Sequence, residues 1–299
     1  TILGNSGGEG GPGRCVAMAG FEWTPGADWW DFTNLRWRHG RTGHINVFYP
    51  DLTAADIGNE ARARTHPILY ARRRSQGSKV FAREAPQAAL DCPDLQTLYA
   101  RLREQVKRGQ QPLAQFNHPV TKLCGADPSR AVELMPGHFN DFAFDPQLVD
   151  CFVLFEIATL ASHKLGSQRV VWCGMLDNEP LYRRALAAGW RLGPAIGVDN
   201  DDERLTAAAS SYTGVWLPPG PFTLADVTTA LRQRRVFATE IPRLAVILQA
   251  TDDSGKVTPM GGEAQAPPEG KLRLQADLVM EDGSAVPTFV YVRFVEVRS

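Results

Sequence analysis

The sequence predicts an α/β fold with a small antiparallel β-module at its C-terminal end. Three observations point to it. Apolar runs alternate with segments of helical period over roughly 220 residues, the pattern of a parallel α/β barrel or a doubly wound sheet. After about Ile241 the alternation stops, and only strand-like runs separated by turn-rich segments remain. Four polar motifs also stand at or near the ends of apolar runs: Gly20-Phe21-Glu22-Trp23-Thr24, Gly43-His44-Ile45-Asn46, Phe116-Asn117-His118-Pro119 and Gly197-Val198-Asp199-Asn200-Asp201. Strand ends gather at one face of such a fold, so residues distant in sequence are expected to meet there. The expected division is a barrel over residues 1–241 and a β-rich module over 242–299.

Each element has its own signal. Residues 1–13 form a glycine-rich lead-in that lacks the Lys-Ser/Thr ending of a phosphate-cradling loop. Arg14–Trp23 reads as a strand ending in Glu22, and Ile45–Tyr49 as another directly after His44. Between them lies a loop carrying Trp29, Trp30 and Trp37, too aromatic for an ordinary surface connection. Asp94 is a good N-cap for a helix bearing Leu95, Leu98, Leu102 and Val106, and Gly109 stops it. Pro112–Phe116 resumes as a strand, and Cys151–Ile157 is apolar apart from Glu156. A helix over Glu179–Ala188, stopped by Gly189, leads into a strand over Arg191–Val198 that ends in Asp199. Thr223 and Asp226 resemble a capping box for a helix bearing Leu224, Val227 and Leu231, with Arg232, Arg234 and Arg235 in its last turn. Val236–Thr239 is a strand. The tail then offers Leu244–Gln249, Lys271–Met280 and Thr288–Val297.

Composition narrows the functional classes. With 299 residues and 43% apolar content, the chain suits one large domain with a core, alone or with a small appendage, which argues against wholesale disorder. A net charge of −1 gives no whole-chain attraction to nucleic acid or to an acidic membrane. Arg62, Arg64, Arg72, Arg73 and Arg74 form a local basic cluster, either a solvated face or an anion-steering rim. No apolar run approaches the ~18 residues of a membrane-spanning helix. The sequence starts at Thr1 without a Met or a signal-like segment, as a processed or trimmed product would. Its five cysteines show no CxxC spacing, which argues against a zinc ribbon or a thioredoxin-like site.

The candidate chemistry lies in the four motifs. Taken singly, Glu22 could be a structurally paired carboxylate, His44 or His118 a hydrogen-bonded histidine, and Asp199 part of an acidic turn. Together they form a mixed Glu/His/His/Asp set, which is what a hydrolytic divalent-metal site requires. Asp201 and Glu156 are candidate proton acceptors. Trp29, Trp30 and His138 are candidates to shape a substrate pocket, with Asn117 holding its loop and contacting substrate. His66-Pro67 follows no strand, and His39 and His163 read as peripheral. No GxSxG occurs, and Cys92 and Cys173 have no obvious base beside them, which disfavours a Ser or Cys nucleophile.

At these residues the chain resembles a PHP-domain (polymerase and histidinol phosphatase) metallohydrolase, and within that superfamily the carbaryl-hydrolase-like branch. The resemblance is carried by AGFEWT (19–24), GHINVF (43–48), QFNHP (115–119), HFNDF (138–142), YRRALAAGW (182–190), GVDND (197–201), LRQRRVFATE (231–240) and PMGGE (259–263), all in order. It implies a distorted (β/α)7 barrel with two or three divalent metals at the strand C-termini. It also implies that Glu22, His44, His118 and Asp199 are metal ligands. Two departures stand out. Asp201 occupies the place of a usual histidine, where it is expected to remain an oxygen ligand, to shift preference toward harder ions such as Mn²⁺, or to remove one metal. The family's opening HxH and later DH motifs belong upstream of the first strand, yet residues 1–21 contain no histidine, so the N-terminal part is expected to be incomplete. Related proteins are often exported, which points to a location outside the cytoplasm.

The expected function is hydrolysis by metal-activated water, with one to three Zn, Mn or Fe ions. The expected partner is a small-molecule phosphoester, or else a carbamate or carboxylic ester, with no nucleic acid and no membrane span. The rival reading is a metal-depleted barrel that acts as a binding or scaffold module.

Overall fold

The computed structural model describes residues 18–23, 29–31, 36–38, 44–50, 95–117, 119, 139–165, 169–199, 212–241, 243–265, 270–280 and 283–285. Its main sheet contains β1 (Ala19–Trp23), β4 (Ile45–Tyr49), β5 (Leu113–Phe116), β6 (Phe152–Leu165), β7 (Arg169–Asp177) and β8 (Gly193–Asp199). A separate ribbon pairs β2 (Trp29–Asp31) with β3 (Arg36–Arg38), so the tryptophan-rich connection is a hairpin and not a plain loop.

The sheet is mixed where alternation alone predicted parallel strands. β4 runs antiparallel to both β1 and β5, whereas β6 runs parallel to both β5 and β8. The long β6 changes partner along its length. Its first residues pair with β5, and its second half forms an antiparallel pair with β7. This reversal of β4 explains why His44 precedes its strand while Glu22 and Asn117 stand at the far ends of theirs. The N-terminal start of β4 and the C-terminal ends of β1 and β5 share one edge.

Beyond β8 lies a ribbon of β9 (Tyr212–Val215) and β10 (Val236–Thr239), tied on where the Thr213 hydroxyl accepts from Ile196 N at 3.0 Å. Among the described residues the path from β1 to this ribbon is open. One apolar cluster nevertheless includes Met18 beside β1 and Val215 and Val236 from the ribbon, so both ends of the path contribute to a common interior. β11 (Leu244–Thr251), β12 (Val257–Pro259) and β13 (Arg273–Met280) form a distinct antiparallel sheet. Thr288–Val297 lies outside the described residues.

Three helices follow the sequence pattern. α1 (Leu95–Lys107) buries Leu95, Leu98, Tyr99 and Leu102 on one stripe. α2 (Glu179–Ala187) buries Leu181 and Ala185. α3 (Leu224–Arg232) starts at a complete capping box, with Thr223 Oγ1 accepting from Asp226 N and Asp226 accepting from Thr223 N. Gly109 and Gly189 stop α1 and α2 with φ of +80° and +111°. Arg232, in the last turn of α3, donates to the carbonyls of Gln111 and Asp150, which precede β5 and β6. Among the described residues no helix is long and apolar enough to cross a membrane.

The two sheet faces differ. One buries Ile45, Val47, Phe116, Phe152 and Phe155 beneath α1, α2 and Trp190. Into this aromatic stack inserts a single turn, Phe139–Phe142, whose residues have φ of 51°, 49°, 62° and 56°. A left-handed turn without glycine costs about 1–2 kcal/mol per residue. Burial of Phe139 and Phe142 against Phe116 offsets that cost, and Trp190 Nε1 anchors the turn by donating to Phe142 O at 2.8 Å. The opposite face carries Leu113, Val153, Leu154, Ala195 and Val236, with Leu231 of α3 against it.

Candidate functional site

The second face changes character at one end. Phe116 pairs with Ile45 and Phe155, and all three side chains belong to the aromatic face. Alternation therefore turns the next residues, Asn117 and Glu156, to the other side. Trp23 likewise lies in the aromatic cluster, which places Glu22 on the same side as Asn117. Polar groups from β1, β4, β5 and β6 thus rim an apolar floor.

Contacts within this rim are specific. His44 Nδ1 lies 3.1 Å from Glu22 Oε1. Asn117 Nδ2 donates to the same oxygen at 3.3 Å, and Gln115 Nε2 donates to Asn117 Oδ1 at 2.9 Å. Asn117 N also donates to His44 O at 2.9 Å, extending the β4–β5 ladder by one rung. The pair at the front is open to solvent, with the Glu22 and His44 side chains 43% and 38% exposed. Asn117 behind it is buried. It meets Glu22 from the interior side.

Glu156 is only 2% exposed. It projects at a β-bulge, because the β6–β8 register shifts between Glu156 and Ala158. Asn178, fully buried just before α2, holds this bulge. Its Nδ2 donates to Glu156 O at 3.0 Å, and its backbone N donates to Ile157 O at 2.8 Å.

The structure thus brings together Glu22, His44 and Asn117 by direct contact and sets Glu156 beside Asn117 on the next strand. Asp199 closes β8, and Trp29 and Trp30 begin β2, but their side chains lie outside the described residues. His118, His138 and Asp201 lie outside them altogether. Gln115 enters the sequence pattern only as part of QFNHP (115–119), with no role of its own, and Asn178 does not enter it at all. Their signal is weak, since an amide two residues before Asn117 and an Asn before a helix are both commonplace.

No family model, curated protein or solved structure matches the chain. The chemistry of the rim therefore rests on its own residues.

Those residues fit two corners of a divalent-metal site. Bonds of about 2.1 Å in a tetrahedral site put two ligands of one ion about 3.4 Å apart, and Glu22 Oε1 and His44 Nδ1, at a hydrogen-bonding 3.1 Å, would part slightly to share one. A carboxylate oxygen with an imidazole nitrogen suits Zn, Mn or Fe. Asn117 supplies the outer hydrogen bond that commonly orients a ligating carboxylate. Among the described residues no group of three or more His, Cys, Asp or Glu is arranged to hold an ion. His118, which follows Asn117 directly in the chain, and Asp199, which closes β8, are the remaining ligand candidates.

Proposed function

We propose that the protein is a metal-dependent hydrolase of small esters, phosphoesters first and carbamates or carboxylic esters next, on a PHP-like barrel. One observation carries the reading: Glu22 and His44 converge within 3.1 Å at a solvent-open strand edge, backed by the buried Asn117. Glu22, His44, His118 and Asp199 would hold the ion. When bound, a divalent metal acidifies water and polarises the scissile oxygen.

The chain's own residues supply the rest. Asn117 keeps Glu22 turned toward His44, and Gln115 keeps Asn117 turned toward Glu22. Glu156, on the same face, accepts the proton of the attacking water, with Asp201 as the other candidate. The apolar floor beneath, from Leu113 to Ala195, limits water behind the reacting centre. His138, Trp29 and Trp30 are the proposed substrate contacts.

Protein supplied with Mn²⁺, Zn²⁺ or Fe²⁺ is expected to turn over bis(p-nitrophenyl) phosphate, p-nitrophenyl acetate or an aryl carbamate. His118→Ala should abolish that turnover and lower metal content. Full activity with unchanged metal would overturn the assignment. The binding-module reading has one observation in its favour: Glu22 already has hydrogen-bonding partners in His44 and Asn117, so the pair coheres without an ion.

A further inference from the structure

We propose that Gly197 and Asn178 are positioning residues that aim the Glu156 carboxylate along the site face. Gly197 does so by lacking a side chain, and Asn178 by fixing the bulge from which Glu156 projects. The inference deepens the hydrolase reading and rests on it for the role of Glu156, though not for the geometry.

A Cβ built on Gly197 would lie 2.1 Å from Glu156 Oε1 and 2.5 Å from its Cδ. Real Cβ atoms do not approach so closely, so the volume above Gly197 belongs to the carboxylate. The glycine of the Gly-Val-Asp-Asn-Asp motif thus leaves room for a side chain of the neighbouring strand, and a Cβ there would push that carboxylate aside. This glycine is not there to make a turn. Across the bulge, one residue holds both carbonyls: Asn178 donates from its side chain to Glu156 O and from its backbone to Ile157 O. Asn178 occupies the N-cap position of α2, yet its side chain makes no capping bond there. An Asn whose side-chain amide fixes a bulge at the helix start follows the way bulges re-aim side chains beside functional sites. A carboxylate 2% exposed above an apolar floor is also a local violation of core chemistry, and such violations concentrate at functional sites.

In the step this positioning serves, a proton of the attacking water passes to a Glu156 oxygen. The water oxygen bonds to the ester carbon or phosphorus, the bond to the leaving oxygen breaks, and that oxygen takes up the proton. General-base action of this kind contributes on the order of 10²–10⁴ in rate.

The first test needs no substrate. The side-chain carboxyl ¹³C resonance of Glu156, assigned by its loss in Glu156→Gln, should move in both Gly197→Ala and Asn178→Ala while circular dichroism stays unchanged. An unmoved resonance overturns the proposal. With bis(p-nitrophenyl) phosphate, Gly197→Ala should lower kcat on the order of 10²-fold at constant KM and metal content. It should add no further loss on top of Glu156→Gln, because it acts through Glu156. Losses that multiply overturn the proposal. Should Gly197→Ala fail to fold, recovery in Gly197→Ala/Glu156→Ala supports the steric claim, and equal failure overturns it. A moved resonance in an inert wild type sinks the hydrolase reading and leaves the positioning intact. An active wild type with an unmoved resonance sinks only the positioning.

Discussion

One face of the main sheet carries Ile45, Val47, Phe116, Phe152 and Phe155 against α1, α2 and Trp190. The other carries Leu113, Val153, Ala195 and Val236 and, at one edge, Glu22, Asn117 and Glu156. The same strands build both. The aromatic face is filled mainly by rings and branched chains, with centroids such as Phe116–Phe152 at 4.6 Å. On the other face the packing gives way to amides and carboxylates where β1, β4, β5 and β6 share an edge. The aromatic face is apolar throughout, and the opposite face gives up apolar packing at its rim, where the proposed site lies. The two meet at Phe116, whose ring belongs to one and whose successor, Asn117, belongs to the other.

The largest effect should come from the polar rim. His44→Ala should lower kcat/KM on the order of 10³-fold or more, equivalent to about 4 kcal/mol. Its urea midpoint should stay near wild type, because the side chain is half exposed. A large loss of stability with retained turnover would reverse the proposed division between the faces. Phe116→Ala should do the opposite, destabilising by about 3–5 kcal/mol in urea unfolding through a cavity in the aromatic stack. Where the variant still folds, its metal content should remain near wild type.

A smaller effect concerns pH. Cys151 lies buried in the aromatic cluster, and burial pushes its thiol up to about 12. The folded state therefore favours the neutral thiol more than the unfolded chain does. The resulting stability is complete below the unfolded thiol's pKa near 9 and is lost as pH rises toward 12. Unfolding free energy should fall by ~1 kcal/mol from this group by pH 10. Cys151→Ala should flatten that part of the curve, and an identical alkaline slope in the variant would contradict it. Smallest is the cap: Thr223→Ala should destabilise by about 1 kcal/mol without touching turnover.

Much of the secondary structure was legible because period is a local property. The Leu95–Leu102 spacing, the Thr223–Asp226 box and Gly109 and Gly189 as stops all appear as the pattern indicates. Strand direction was not legible, since an apolar run is the same for a parallel or an antiparallel neighbour. β4 accordingly reverses without a sequence mark. β7 went unseen because β6 was read only to Ile157, whereas it continues to Leu165 and turns back antiparallel. The left-handed turn at Phe139–Phe142 contains no glycine, and only Asn140 and Asp141 tolerate that conformation readily. At the rim, Glu22 and His44 were legible as strand-end residues. The roles of Asn178 and Gly197 were not, because each depends on the shape of a bulge in another strand.

The central claim is that Glu22 and His44 hold an ion. Elemental analysis of desalted wild type beside Glu22→Gln, both of confirmed intact mass, tests it most directly. About one to three Zn, Mn or Fe per chain in the wild type, with loss in the variant, is the predicted result. Metal-free wild type after Mn²⁺ or Zn²⁺ is added back, or equal metal in both proteins, would contradict it.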